Sequence, residues 1–395
     1  MNEFLLFTPG PVNVAANVRL AIAKNDICHR EIEFDDLLAS IEHKLLEMFE
    51  IKNKARYNAV VITGSGTAAN EAMLSSVVGD GNVLVLSNGE FGERLHKISS
   101  IHNANTFLLE FPWGQSIELD IVETFMTAHR IDVVVMVHHE TCSGMLNPLH
   151  AIGTLVKSHD ALFVVDCVSS AGAEIVDMES CNIAFCSSSS SKAIGSYAGL
   201  SFVVGETVEF EKLKHNPVKT TYLNLATFYD SMSVHSQTPN TPGVPLFYGL
   251  EQALSNILLE GVSNRYAKIR KRARLLRCGM LKLGLKFLID QKDMCSVLTT
   301  VVLPPNVDVG RLRMKLRECS IIVYEGKGCF KNKVFQVGNI GELSSRDIRF
   351  FLATLGEVLR GFKPAVKQEF VPIRAPHAYG AQGIGFVGVP AIVGT

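Results

Sequence analysis

Short, wholly apolar runs alternate along the chain with longer segments whose apolar residues recur every three or four positions. The runs are Val60-Val61-Ile62, Val83-Leu84-Val85-Leu86, Val133-Val134-Val135-Met136-Val137 and Phe163-Val164-Val165. A strand with water on one side alternates polar and apolar residues, so continuous runs of this length predict strands covered on both faces. Between them, Ala68 to Val78 carries few breakers, and Leu149 to His159 has apolar residues at helical spacing. Both segments predict helices. Strand and helix in alternation predict an α/β fold with a wound sheet. A further strand is predicted at Leu200 to Val204.

The pattern changes in the last third. Thr238 to Pro245, dense in Pro, Thr and Gly, predicts an ordered loop. A long helical stretch follows from about Leu246 to Leu283, interrupted near Gly261. Its second part is basic (Arg265, Lys268, Arg270, Lys271, Arg272, Arg274) and reads as a solvated face. Beyond it, strands at Ser296 to Leu303, Ile321 to Tyr324 and Val334 to Val337, with a helix from Ser344 to Leu359, predict a small α+β domain. The expected division is an N-terminal arm (1–20), a large domain (21–262), a small C-terminal domain (263–362) and a Pro- and Gly-rich tail (363–395) to which no role attaches.

Composition narrows the classes. The 395 residues suit one large domain plus a smaller one, and 47% apolar with 19% charged residues allows a sizeable core. A net charge of -1 argues against a general nucleic-acid binder. None of the nine cysteines falls in a C-x-x-C pair, so neither a zinc site nor a disulfide framework is expected. Free thiols in a reducing compartment are the reading. The N-terminus lacks a basic n-region, and no apolar run approaches the roughly 20 residues that span a bilayer. A cytoplasmic protein with no metal and no membrane partner is expected.

Three segments carry chemistry. Thr63-Gly64-Ser65-Gly66-Thr67-Ala68-Ala69-Asn70-Glu71 follows a strand and opens a helix, where backbone N–H groups and the helix dipole favour a phosphate. Asp166 ends the apolar run Phe163-Val164-Val165, at the strand end where open sheets bind ligands. Lys192 closes the serine run Ser187 to Ser191. Each has an ordinary alternative: a helix cap, a turn aspartate, a flexible-loop lysine. Their joint occurrence in this order predicts a pyridoxal phosphate enzyme. The lysine would form the Schiff base and the acid would keep the pyridinium nitrogen protonated.

The wording of these segments resembles the class V aminotransferases of fold type I, over nearly all of residues 5 to 360. Thr8-Pro9-Gly10-Pro11 matches the family's T-P-G-P, and Thr63 to Glu71 its phosphate loop. His138-His139-Glu140-Thr141-Cys142-Ser143-Gly144-Met145-Leu146-Asn147-Pro148 is similar to H-C-E-T-T-T-G-I-L-N-P of the 2-aminoethylphosphonate–pyruvate subgroup. Tyr324-Glu325-Gly326-Lys327 is similar to Y-P-G-K, and Gly338-Asn339-Ile340-Gly341 to G-N-I-G. The 26 positions from Asp166 to Lys192 equal the family spacing. The alanine–glyoxylate subgroup is a more distant match.

The resemblance implies a large domain with a mostly parallel sheet wrapped by helices, plus a smaller α+β domain. It implies amino transfer from a small, 2-aminoethylphosphonate-like amine or amino acid to a keto acid such as pyruvate. Lys192 would bond the cofactor and then shuttle the proton. Asp166 would pair with the ring nitrogen, and Ser65, Gly66, Thr67 and Ser191 would hold the phosphate. Phe91 would stack on the ring, and Thr141 would lie by its hydroxyl side. Thr241 would reach the phosphate of a neighbouring subunit, which implies a homodimer. Arg30, in His29-Arg30-Glu31-Ile32-Glu33-Phe34, would point into the partner's site and recognise an anion, or else pair on the surface with Glu31 or Glu33.

One position departs from the family. Where it has F-R-I-G, with the arginine that clamps a carboxylate, this chain has Phe335-Gln336-Val337-Gly338. A neutral amide at Gln336 binds a carboxylate more weakly than a guanidinium. Another cation would have to substitute, from Arg30, Lys327, Lys331 or Lys333, or the substrate would lack that carboxylate. A lyase or other reaction on the same scaffold is the alternative, because the same electron sink serves several chemistries.

Overall fold

The computed structural model describes residues 4–362, so the expected tail at 363–395 lies outside the described residues. Seven strands form the main sheet, in the order Tyr57–Thr63, Leu200–Glu206, Ile183–Ser189, Leu162–Asp166, Val133–Val137, Val83–Ser87, Thr106–Glu110. Leu200–Glu206 runs antiparallel to both neighbours, and the other pairings are parallel. Every residue of Val83–Ser87, Val133–Val137 and Ile183–Ser189 is buried. Helices cover both faces, which is why those strands read as unbroken apolar runs; burying each such side chain contributes roughly 1.5–3 kcal/mol.

Two strands of this sheet were not among those expected. Thr106–Glu110 lies at the sheet edge and is half-buried. Ile183–Ser189 takes up the start of the serine run, which its polarity had assigned to a loop. Two of its three hydroxyls are satisfied internally: Ser187 Oγ donates to Asn70 Oδ1, and Ser188 Oγ donates to the Cys167 carbonyl at 3.3 Å. A serine so paired sits in a buried strand at little cost.

Helix Gly66–Val77 begins two residues before the expected start. The long C-terminal stretch is two helices, Val244–Glu260 and Val262–Lys282, divided at Gly261, whose φ is +84°. Pro245 belongs to the first helical turn, not to the preceding loop, because its missing N–H would be unpaired there anyway. The basic face is exposed at Lys268, Arg270, Lys271 and Arg274, as expected, but not throughout. Arg265 and Arg272 turn inward, donating to the carbonyls of Gly172 and Ala193 and of Gly341 respectively.

A second, four-stranded antiparallel sheet is ordered Lys286–Phe287, Leu298–Val302, Val334–Gly338, Tyr324–Glu325. Helices Val309–Glu318 and Ser345–Arg360 accompany it, the latter held by a Ser344–Asp347 capping box. The N-terminal segment joins this unit. Leu5 and Leu6 pair in parallel with Ile321 and Ile322, and Phe7 stacks on Phe351 at 4.5 Å. Gly338 abuts that segment: a Cβ there would lie 2.2 Å from the Thr8 carbonyl oxygen. The Thr8–Pro11 and Gly338–Gly341 motifs thus meet because only glycine permits the approach.

Candidate active site

Asp166 ends its strand 4% exposed, with each carboxylate oxygen already held. Asn70 Nδ2 donates to Oδ2 at 2.7 Å and the Val168 N–H donates to Oδ1 at 2.8 Å. Burial pushes its acid group upward, while these two donors and the charges of Arg94 and Lys192 pull it back. Asn70 follows Gly66 by four residues, one helical turn, so helix Gly66–Val77 presents its N-terminus and this amide on the same face.

That N-terminus is open. Ser65 is the cap residue, yet its side chain makes no cap bond, and the N–H groups of Ser65, Gly66 and Thr67 meet no acceptor among the described residues. A Cβ on Gly66 would fall 2.8 Å from Val168 and 3.4 Å from Ser189, so the turn packs directly on the Asp166 and Lys192 segments. Beside it, Ser189 Oγ is buried without a partner. A buried lone hydroxyl next to three free N–H groups is what an anion would satisfy.

Lys192 follows this strand. Burial lowers its pKa, with help from Lys327 and Arg94 and against Asp166. A lysine so placed is more readily a neutral nucleophile. Its side chain lies on Gly10 of the Thr8-Pro9-Gly10-Pro11 motif: a Cβ at Gly10 would sit 2.4 Å from Cδ and 2.8 Å from Nζ. Tyr324 Oη donates to the Gly10 carbonyl at 3.4 Å. Arg265 holds the other side by donating to the Ala193 carbonyl. Gly10 also has φ +129°, so Gly10→Ala is expected to lower the unfolding midpoint through backbone strain and, in the folded protein, to lower kcat about 10²-fold by displacing the amine by roughly 1 Å.

Phe91 opens helix Glu90–His102, and Glu140 fixes it there. The Glu140 carboxylate is fully buried and accepts the N–H groups of Phe91, Gly92 and Cys142, each at 3.1 Å. An acid aimed at a helix N-terminus meets both free donors and the positive end of the dipole. Two cations gather on the Phe91 ring: the Arg94 guanidinium at 4.7 Å and Lys327 Nζ at 5.5 Å from its centroid. Glu90 holds both, at 3.1 and 3.7 Å. Thr141 is buried and donates to Ser169 Oγ at 2.8 Å.

Gln336 is 3% exposed, and its amide nitrogen is fully engaged. It donates to the carbonyls of Thr141 (2.7 Å) and Cys142 (3.1 Å) and to Thr300 Oγ1 (3.2 Å). Arg30 and Thr241 form a separate group. Arg30 pairs with neither Glu31 nor Glu33 but donates to Gln237 Oε1 at 3.0 Å and the Thr238 carbonyl at 2.9 Å, on the segment leading to exposed Thr241. Lys331 and Lys333 are exposed. Asn70, Glu140, Gly10 and Arg94 had not been assigned roles from sequence; for Asn70 the signal was its helical spacing from Gly66.

The set fits pyridoxal phosphate: free N–H groups and a lone hydroxyl for the phosphate, a buried strand-end carboxylate for the ring nitrogen, and a buried lysine in electrostatic range of both charges. No helix among the described residues is long and apolar enough to cross a membrane, and no cluster of His, Cys, Asp and Glu there could hold a metal.

The class V aminotransferase profile matches residues 17–344. An uncharacterized aminotransferase of Methanocaldococcus jannaschii is 31% identical over 93% of this chain and 96% of its own. A 2-aminoethylphosphonate–pyruvate transaminase of Vibrio vulnificus is 30% identical, over 91% of this chain and 98% of that protein. Among solved structures, an alanine–glyoxylate aminotransferase of a Nostoc species is similar with a TM-score of 0.86 and 28% identity, covering 91% of this chain and 96% of that one. The chain belongs to the class V aminotransferase family, whose members are pyridoxal phosphate enzymes of fold type I.

Proposed function

We propose that this enzyme moves an amino group from a small amine bearing a distal anion, of the 2-aminoethylphosphonate kind, to a keto acid such as pyruvate. The observation that carries the choice is Gln336. Both of its amide protons are spent on protein oxygens, so it positions the Thr141–Cys142 turn instead of clamping a carboxylate. Positive charge lies elsewhere, in Arg94 and Lys327 beside Phe91. A phosphonate, doubly charged and with three acceptor oxygens, suits two cations better than one neutral amide. Its subgroup name among the relatives supports the same reading.

In this reading Ser65, Gly66, Thr67 and Ser191 bind the cofactor phosphate, Phe91 and Thr141 border its ring, and Asp166 faces its nitrogen. The cofactor supplies the electron sink. Lys192 bonds it and, once displaced, takes a proton on Nζ and returns it. Arg30 and Thr241 reach across a homodimer to the partner's site; both are exposed, and the bonds from Arg30 to Gln237 and Thr238 hold it beside the segment that carries Thr241, which supports this. Five of the nine cysteines are buried and unpaired, which suits a cytoplasmic setting. A lyase reading keeps one argument, the missing clamp itself.

Mixing the purified enzyme with 2-aminoethylphosphonate should bleach the visible cofactor band, and pyruvate should restore it. A lyase would release product with no keto acid required. Gln336→Arg should raise kcat/KM for α-amino acid donors about tenfold, by supplying one charge-assisted pair. Loss of all amine use in that variant, with no bleaching by the phosphonate in the wild type, would rule the reading out.

A further inference from the structure

At the opposite edge of the main sheet from Asp166 and Lys192 lies a polar cavity of about 260 Å³. Tyr57 and Leu162, the first residues of their strands, and Glu206, the last of its antiparallel strand, line it. Four residues of extended chain separate Leu162 from Asp166, about 13 Å, so this cavity is distinct from the cofactor site.

Its walls hold polar and charged groups without a protein partner among the described residues. Tyr57 is 3% exposed, and its hydroxyl has no hydrogen-bond partner among the described residues. Burial and the charges of Glu206 and Glu179 push its pKa up to about 12, so it keeps its proton and donates. The Glu179 carboxylate and the Lys157 ammonium also line the cavity, and neither forms an ion pair among the described residues. Neighbouring charges are already matched: Arg56 holds Glu206 at 3.2 Å, and Lys212 holds Glu209 at 2.7 Å.

One anion, one cation and one hydroxyl donor therefore remain. Lys157 is exposed and Glu179 half-buried, so both are hydrated in the free protein, and a ligand carrying both charges answers the two at once. We propose that this cavity binds a small zwitterion of the amino-acid class, its ammonium on Glu179 and its carboxylate on Lys157 and the Tyr57 hydroxyl. The volume lies just below the usual range for drug-sized ligands, which suits a small molecule.

The test is calorimetric titration of L-alanine into holoenzyme reduced with borohydride, which keeps the cofactor fixed on Lys192. Saturable binding is expected, stronger than for propionate or ethylamine, and weakened about tenfold or more by Glu179→Gln and by Tyr57→Phe. Lys157→Gln, at an exposed position, serves as a third variant should Tyr57→Phe fail to fold. Absence of saturable heat, or binding that survives Glu179→Gln and Lys157→Gln unchanged, would overturn the proposal. The measurement uses no turnover, so its failure leaves the proposed reaction standing.

Discussion

Lys192→Ala is expected to lower kcat by about 10⁴-fold or more and to abolish the visible cofactor band. Two functions disappear together: the amine that bonds the cofactor and the base that moves the proton, the second alone being worth about 10²–10⁴-fold. The fold should survive. The lysine is carried on a segment fixed by backbone bonds, with the Gly195 N–H on the Lys192 carbonyl at 3.0 Å and the Ser196 N–H on the Ser190 carbonyl at 2.9 Å. Removing the side chain leaves those in place, so the unfolding midpoint should stay near that of the wild type. Lys192→Arg is the companion: it keeps a cation but not a deprotonatable amine, and it should be as inactive. Turnover within tenfold of wild type in either variant would remove Lys192 from the chemistry.

Asp166→Asn should cost about 10³-fold in kcat, in the range found when one preorganised electrostatic partner is removed. The substitution is nearly isosteric. A carboxamide oxygen can still accept from Asn70 or Val168, which now hold the acid at 2.7 and 2.8 Å. The negative charge is lost, and one of the two donors meets the amide NH2 instead of an acceptor. A purely structural role would therefore show as a lower unfolding midpoint with activity retained, and a role toward the ring nitrogen as a loss of turnover far beyond what the drop in midpoint explains. Asp166→Ala removes both acceptors and leaves the buried Asn70 amide unpaired, a penalty of about 1–3 kcal/mol. It should lose stability as well as turnover. Full activity in the asparagine variant would exclude a charged partner for the cofactor.

Much of this architecture was legible from residues alone. The runs at Val83-Leu84-Val85-Leu86 and Val133-Val134-Val135-Met136-Val137 lie in the middle of the sheet, because strands covered on both faces cannot carry polar residues cheaply. The serine run misled for the complementary reason: polarity signals water unless a partner is known, and the partner of Ser187 is Asn70, 117 positions away. The basic helix misled in part, since Arg265 pairs with nearby Glu260 but is also drawn inward by the carbonyls of Gly172 and Ala193, distant in sequence and adjacent only in the fold.

By itself, the sequence determined the order of the candidate site: a Gly/Ser/Thr turn that opens a helix, then a strand-end acid, then a lysine, with Gln336 where the family has an arginine. These are local properties, set by residue type and by periods of two and 3.6, so a linear reading reaches them. Only the tertiary structure decided what each group faces. It laid Gly10 against Lys192, set Glu140 on the helix that carries Phe91, and committed the Gln336 amide to the Thr141–Cys142 turn. Such contacts join segments up to 195 positions apart, and they depend on strand order and on close backbone approach, which no local pattern encodes.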